Sequence, residues 1–422
     1  MATLQDVLAT HYDGYASGKR MHPRQARAAQ SILRCYTPAA GSHFDTCPHG
    51  HVCNEVFHGC HHRSCPRCAD RPRQQWTDAE LRRLLPCPHF HCVFTLPHEL
   101  LPLWEFNRES MIELLISCVR CTLLRLLRDP RHLGATPGLL LSLHTWGRNL
   151  SHHPHVHALV TAGGLRADGS WLPTRAGFLL PLPPVRKLFC GLLLAGLTER
   201  FNDGALHLPT SLPAPHWRSL IRTLYSKHWN VQINAPYASG RSVTLYLARY
   251  AVGGPLPKDR DLIMHDGRVA FDYTDHRDGQ RKRMQLSADE FIDRILWHAP
   301  PKGVHTTRHA GLYAAASREH HRRALVALSL PEQLPPHDLA LPPPPADTAL
   351  CAICGSPLRR QFLPPARAAD QISFLYGATA APAPPPPAHL GPTLRSTGHP
   401  TAGRAIAQRY PPLVPGRLLN AG

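Results

Sequence analysis

The chain has 422 residues, enough for two or three domains with a sizeable hydrophobic core. Its formal net charge is +18. Residues 331–422 contain seven arginines and four acidic residues and so carry +3, which leaves +15 on residues 1–330. A charge of this size predicts that residues 1–330 bind a polyanion, by default nucleic acid. The chain has thirteen cysteines and no evident export signal, which indicates thiols and metal ligands in a reducing cytoplasm. The longest apolar run, near residues 188–197, is too short to cross a membrane.

Residues 1–85 are predicted to form a small domain held together by structural zinc. Five of the thirteen cysteines fall between residues 47 and 68, in a segment too polar to bury much core. Cys65 and Cys68 have the spacing of a zinc knuckle, and Cys47 is the preferred third ligand. The fourth ligand stays open among His49, His51, Cys53 and Cys60. The predicted zinc set is Cys47, Cys60, Cys65 and Cys68.

From about residue 86 the pattern changes to mixed strands and helices, which predicts an α+β fold. A helix is expected over residues 108–128, where apolar side chains recur at helical spacing and Asp129-Pro130 ends the pattern. The turn at Asp278-Gly279 predicts a hairpin. The expected strands are 91–96, 139–143, 155–160, 231–234, 268–274 and 281–286, and the later helices are 217–229, 240–252 and 289–297.

The histidines near residue 155 are candidates for a catalytic metal site. Because alternate side chains of a strand share a face, His155 and His157 can bind one cation together. The spacing alone decides little, since 30 histidines give about two such pairs by chance and the chain has four. His144 is one source of a third ligand from a neighbouring strand, and His89 and His91 compete with it.

Tyr246 and Tyr250 are candidate nucleophiles. Eleven tyrosines give about 0.3 expected pairs at this spacing, and this pair is the only one in the chain. One helical turn separates the two residues, so both hydroxyls project from one face. The alternative is an ordinary packing stripe shared with Val243 and Leu247.

In this order, HPHVH and YLARY resemble the motifs of HUH endonucleases, and most closely those of the two-tyrosine rolling-circle transposases of bacterial insertion sequences. The resemblance runs from about residue 47 to residue 320 through seven ordered segments. These are SCPRC, HFHCVFTLPHEL, LHTWG, HHPHVHALV, YLARYAVGGPL, GRVAFDYTDHRDG and PKGVHTTRHAGL. The resemblance implies an HUH-type antiparallel sheet with flanking helices over residues 86–325. In this chain Cys47-Pro-His-Gly-His-Val-Cys53 stands where the family commonly has a second Cys-x2-Cys pair.

A further resemblance favours His144 as the third metal ligand. Three-histidine plasmid relaxases have a lone histidine eleven positions before the His-x-His pair, which is the spacing of His144 and His155. The resemblance implies that Mg²⁺ or Mn²⁺, bound by His144, His155 and His157, assists attack of Tyr246 or Tyr250 on single-stranded or hairpin DNA. The expected function is a transposase at insertion-sequence ends, in the bacterial cytoplasm with the nucleoid. The alternatives are a plasmid relaxase or replication initiator, and an inactive zinc-dependent DNA-binding regulator.

Basic residues on three segments are predicted DNA contacts, although such residues are often merely solvated. They are Arg63, Arg67, Arg249, Arg277, Arg281, Lys282 and Arg283. Residues 326–422 are predicted to be a mostly disordered tail, because twenty of the 92 residues from 331 onward are proline. Cys351 and Cys354 form half a zinc knuckle in this tail, with His320 or His321 as the suggested completing ligands.

Overall fold

The computed structural model describes residues 2–258, 260–275, 278–328 and 349–365, with the backbone alone for residues 53, 54, 249 and 250. Its helices are α1 Leu4–Ser17, α2 Pro23–Arg34, α3 Asp70–Arg83, α4 Leu101–Phe106, α5 Arg108–Arg128, α6 Leu182–Asn202, α7 Trp217–Ser226, α8 Arg241–Ala251, α9 Ala288–Leu296 and α10 Arg318–Ala327. Its strands are β1 Ser42–Thr46, β2 Val52–Phe57, β3 His89–Thr95, β4 Gly138–Trp146, β5 His152–Thr161, β6 Gly163–Leu165, β7 Trp171–Pro173, β8 Val231–Ile233, β9 Ile263–His265, β10 Arg268–Thr274, β11 Arg281–Ser287, β12 Thr307–Gly311 and β13 Arg359–Leu363.

A five-stranded antiparallel sheet, in the order β12-β4-β5-β3-β8, forms the centre of the fold. Apolar residues that alternate along its strands, such as Phe94, Leu141 and Val156, point to one face and form the largest core with α5 and α6. The opposite face presents Leu140 and Leu159 to α8. Mixed helix and antiparallel sheet, preceded by a cysteine-rich region, confirm the predicted fold class.

The first two helices pack against elements from much later in the sequence. A capping box between Thr3 and Asp6 fixes the start of α1. The apolar faces of α1 and α2 then share a core with α9 and the hairpin β10-β11. The N-terminal helices are therefore anchored to residues more than 230 positions later in the chain.

Several local predictions are confirmed. The helix predicted over 108–128 is α5 with the same bounds, and the predicted hairpin is β10-β11, in which Arg268 pairs with Ser287 and Thr274 with Arg281. The helix predicted over 240–252 is α8. Among the described helices, none has the length and hydrophobicity that crossing a membrane requires.

Candidate active site and metal centres

Three histidines meet on the face of the central sheet that α8 covers. His144 on β4 lies directly opposite His155 on β5, and His157 is two residues further along the same strand. Directly opposite residues share a face, so the register places all three imidazoles together. One ring nitrogen from each lies within 4.8 Å of the others. The ring centroids of His144 and His157 are 4.0 Å apart, and those of His155 and His157 are 4.7 Å apart.

Hydrogen bonds orient two of these rings. The Nδ1 atom of His155 lies 2.6 Å from the carbonyl oxygen of His153, so Nδ1 carries the proton and donates it, and Nε2 is the unprotonated nitrogen of this tautomer. The Nδ1 atom of His157 lies 2.7 Å from Nε2 of His91, whose other ring nitrogen lies 3.2 Å from the side-chain amide of Asn234. Among the described residues, Nε2 of His157 is buried without a hydrogen-bond partner. This arrangement fits a metal ligand supported by an outer layer of hydrogen bonds.

Burial favours the neutral form of His144, His157 and the neighbouring His91. The pKa of His157 is well below its ordinary value because burial disfavours the charged ring and His144, His155 and His91 lie close by. Burial also lowers the pKa of His144 well below the ordinary value and that of His91 to about 4. Metal binding requires the neutral form, so the cluster is ready to bind a cation at neutral pH.

Tyr246 lies beside the histidine cluster. It is a half-buried residue of α8, and its ring centroid is 5.9 Å from that of His157 and 6.0 Å from that of His91. Helix α8 packs against both β4 and β5. Tyr250 follows one turn later in the same helix, but its side chain, like that of Arg249, lies outside the described residues.

Four cysteines of the N-terminal region form a second cluster. The sulfur of Cys35 is 3.4 Å from that of Cys68 and 3.6 Å from that of Cys65, and the sulfurs of Cys60 and Cys68 are 3.9 Å apart. Tetrahedral zinc with Zn–S bonds of about 2.3 Å places its sulfur ligands about 3.8 Å apart, so the cysteines fit Zn²⁺. The backbone N–H groups of Cys60 and His62 donate to two of these sulfurs, as expected for thiolates. The donor set and its geometry support a structural zinc site here.

The observed set of four zinc ligands differs from the predicted set at one position. The structure brings Cys60, Cys65 and Cys68 together as predicted, but the fourth member is Cys35. Cys47 lies instead with His51, Cys351 and Cys354. Cys35 is a single cysteine at the end of α2, outside any spaced pair, so only the packing of that helix reveals its role.

The two predicted DNA contacts of the N-terminal region have different surroundings. The Arg63 guanidinium is largely buried and donates hydrogen bonds to the carbonyl oxygen of Ala251 and to the hydroxyl of Thr306. The guanidinium therefore links the end of α8 to Thr306, the residue before β12. Arg67 is exposed, and its guanidinium lies 4.3 Å from the centre of the Tyr36 ring.

The basic residues of the β10-β11 hairpin form ion pairs with acidic residues of the same hairpin. Arg281 and Arg283 pair with Asp272 at 3.0 Å and 2.8 Å. Lys282 pairs with Asp275 and Asp278 at 2.7 Å, and these carboxylates raise the pKa of its ammonium group. The predicted contact Arg277 lies outside the described residues.

The sequence also left the roles of two histidines open. His91, a rival for third ligand, lies outside the three-donor set and bonds to His157. His89 is buried elsewhere on β3, where its Nε2 accepts a hydrogen bond of 2.6 Å from the Tyr313 hydroxyl and its Nδ1 donates to the Cys87 carbonyl. The sequence does not predict the role of Asn234, because nothing in its surroundings indicates that it contacts His91 on β3.

Known protein families match both parts of this chain. The family model described as a putative transposase matches residues 138–321, and the model described as a transposase zinc-binding domain matches residues 7–96. The first range contains the histidine cluster and α8, and the second contains the four-cysteine cluster. The fold and the two sites thus define a transposase with an N-terminal zinc-binding domain.

Two relatives identify the family more closely. The chain is 34% identical over 336 residues to the putative transposase y4qJ of Sinorhizobium fredii, covering 77% of this chain and 84% of that protein. It is 33% identical over 295 residues to the transposase for insertion sequence element IS801 of Pseudomonas savastanoi pv. phaseolicola, covering 67% of each chain. The chain therefore belongs to this family of insertion-sequence transposases, which confirms the resemblance found in the motifs. No solved structure matches it.

Proposed function

We propose that this transposase nicks and rejoins single-stranded DNA through a covalent 5′-phosphotyrosine. The observation that carries the proposal is the position of Tyr246, whose ring lies against His157 beside three clustered imidazoles. Nearly a hundred residues separate these groups in sequence, and the packing of α8 on β4 and β5 supports a shared site.

This placement supports attack of a tyrosine on a metal-bound phosphate. A free tyrosine has a pKa near 10, so about a thousandth is phenolate at neutral pH. Mg²⁺ or Mn²⁺ bound by His144, His155 and His157 would polarise the scissile phosphate and neutralise the charge that collects on its oxygens. The phenolic oxygen loses its proton and bonds to phosphorus while the bond to the 3′ oxygen breaks, and that oxygen takes up a proton. One phosphodiester replaces another, so a 3′-hydroxyl can reverse the step without ATP.

Two tyrosines give the enzyme two nucleophiles. Tyr246 and Tyr250 are one turn apart in α8, so their Cα atoms lie on the same side of the helix. One residue can hold a cleaved 5′ end while the other attacks the next strand, as a rolling-circle type of transposition requires. Imidazole ligands favour Mn²⁺ over Mg²⁺.

The substrate is single-stranded or hairpin DNA from the ends of the element. The charge of +18 supports binding of a polyanion. Arg67 is an exposed candidate contact, and Arg281, Lys282 and Arg283 would have to exchange carboxylate partners for phosphates. Arg249 and Arg277 stay candidates from sequence. The internal bonds of Arg63 favour a role in holding α8 in place.

The test is formation of a protein–DNA adduct that survives denaturation. The full chain is incubated with Mn²⁺ or Mg²⁺ and with oligonucleotides of both strands from both ends of its element. We expect an adduct that is lost in His157→Ala and in the Tyr246→Phe, Tyr250→Phe double variant. Tyr225→Phe, which changes an exposed tyrosine on α7, is the matched control and should leave the adduct intact.

Two outcomes would contradict the proposal. An adduct that persists in the double tyrosine variant would rule out both residues as nucleophiles. Tight and specific binding of the ends without an adduct on any strand would favour a zinc-dependent DNA-binding regulator.

A further inference from the structure

A tight turn presents two metal-binding side chains between β1 and β2. The Cys47 N–H donates to the His51 carbonyl at 3.1 Å, and the Gly50 N–H donates to the Cys47 carbonyl at 3.0 Å. Gly50 has a φ of +82°, which side chains rarely adopt, so glycine allows the chain to reverse here. The turn directs the Cys47 sulfur and the His51 ring to the same point, with 3.3 Å between sulfur and Nδ1.

A similar turn lies 300 residues later in the chain. The Cys351 N–H donates to the Ser356 carbonyl at 2.9 Å, and the Gly355 N–H donates to the Cys351 carbonyl at 2.8 Å. Gly355 has a φ of +70°. The second turn has the Cys-x2-Cys spacing of a zinc knuckle and brings Cys351 and Cys354 together.

Strand pairing brings the two turns face to face. β13 follows the second turn and pairs antiparallel with β1, from Ser42 opposite Leu363 to Thr46 opposite Arg359. The result is a three-stranded sheet in the order β13-β1-β2. The Cys354 sulfur is 3.5 Å from that of Cys47, and the Cys351 sulfur is 3.7 Å from Nδ1 of His51.

We propose that Cys47, His51, Cys351 and Cys354 bind a second structural Zn²⁺ ion, which joins residues 349–365 to the N-terminal region. We call this set the split cluster. Tetrahedral zinc with bonds of about 2.3 Å to sulfur and about 2.0 Å to nitrogen requires donor separations of roughly 3.5 to 3.8 Å. The observed separations of 3.3, 3.5 and 3.7 Å lie within about 0.3 Å of this requirement.

Burial alone does not explain why residues 349–365 are held on this sheet. Every residue of β13 is exposed, and Phe362 keeps 70% of its surface accessible. The ion pair between Arg360 and Asp45, at 3.0 Å, lies at the surface, where solvent screens it and it adds little stability. Metal binding supplies the folding free energy that a small exposed sheet lacks. The proline-rich region therefore contains a segment that belongs structurally to the zinc-binding domain.

The first test is the zinc content of the full chain, purified under reducing conditions and measured by mass spectrometry of the metal. In a His157→Ala background, which removes a donor from the three-histidine cluster, we expect two Zn²⁺ per chain, and one in each of the further changes Cys351→Ser, Cys354→Ser and His51→Ala. His51→Cys should retain two, because a thiolate can replace the imidazole as fourth ligand. Cys121→Ser is the matched control, since Cys121 is a half-buried cysteine of α5 outside both zinc clusters, and it should also retain two.

The second test follows the attachment of the C-terminal segment. A specific protease site inserted within residues 331–347 allows the chain to be cut between the two halves of the split cluster. After cutting, the fragment that contains Cys351 should stay with the rest of the protein, and a zinc chelator or Cys354→Ser should release it.

The proposal is overturned if the native chain binds only one zinc ion. It is also overturned if the Cys351→Ser and Cys354→Ser variants keep both ions, or if Cys47 and Cys354 form a disulfide in place of the metal site. These results do not depend on strand cleavage, so they stand apart from the proposed nuclease activity.

Discussion

The hydrogen bond between His91 and His157 allows a sharp test of the catalytic metal site. A metal bound to Nε2 of His157 fixes the proton on Nδ1, which then must donate to His91 at 2.7 Å. Without metal, the His157 ring can change tautomer. His91→Phe keeps an aromatic ring in this buried position but removes the nitrogen that accepts the hydrogen bond from His157. The lost hydrogen bond should therefore raise the free energy of the metal-bound state more than that of the metal-free state.

A buried hydrogen bond that loses one partner costs about 1 to 3 kcal/mol. This agrees with the roughly 10- to 100-fold loss of metal affinity that follows removal of outer partners of metal-bound histidines. We therefore expect the Mn²⁺ dissociation constant, measured by calorimetry, to rise 10- to 100-fold in His91→Phe. His91→Gln, which can still accept a hydrogen bond, should recover part of the affinity.

The matched control is His89→Phe on the same strand and the same face of the sheet. His89 is also buried, but it bonds to Tyr313 and not to the cluster. This variant should lose stability without a change in Mn²⁺ affinity. Equal weakening of Mn²⁺ binding in both variants would refute the reasoning, because it would reflect general loosening of the sheet.

Three further predictions concern stability. Burial lowers the pKa of His89 to about 4 and that of His298 to about 3. Below the ordinary pKa of about 6.5, the unfolded chain binds more protons than the folded chain. Each of the two histidines should therefore lower the free energy of unfolding by about 2 kcal/mol at pH 5, relative to neutral pH. The thermal midpoint should fall between pH 6.5 and pH 4, and less steeply in His298→Gln; an equal slope would contradict this assignment. Phe189→Ala should cost about 3 to 5 kcal/mol in urea unfolding, because this fully buried ring packs against two other aromatic rings. Arg63→Met should cost about 1 to 3 kcal/mol by leaving the Ala251 carbonyl unpaired; weaker DNA binding at unchanged stability would instead support a phosphate contact.

Local patterns predicted much of the fold because they depend on short-range periodicity. The spacing of apolar residues gave α5 with its bounds, and the Asp278-Gly279 turn gave the β10-β11 hairpin. Alternation along β5 placed His155 and His157 on one face. The eleven-residue separation of His144 and His155 matches their positions as opposite partners in the sheet.

The grouping of ligands depended on chain packing, which spacing does not reveal. Spacing favoured Cys47 as a partner of Cys65 and Cys68, but the end of α2 brings Cys35 to that site. The half knuckle of Cys351 and Cys354 was expected to need His320 or His321. Pairing of β13 with β1 brings it to Cys47 and His51 instead.

The amino-acid sequence by itself determined the family, the charge that suits a nucleic-acid partner, and the strand and helix that carry the candidate catalytic side chains. The tertiary structure alone decided which cysteines share an ion and that His91 supports His157. The physical reason is that a metal site requires donor atoms a few ångströms apart in space. Strand pairing and helix packing meet this requirement between residues that are 300 positions apart as readily as between neighbours.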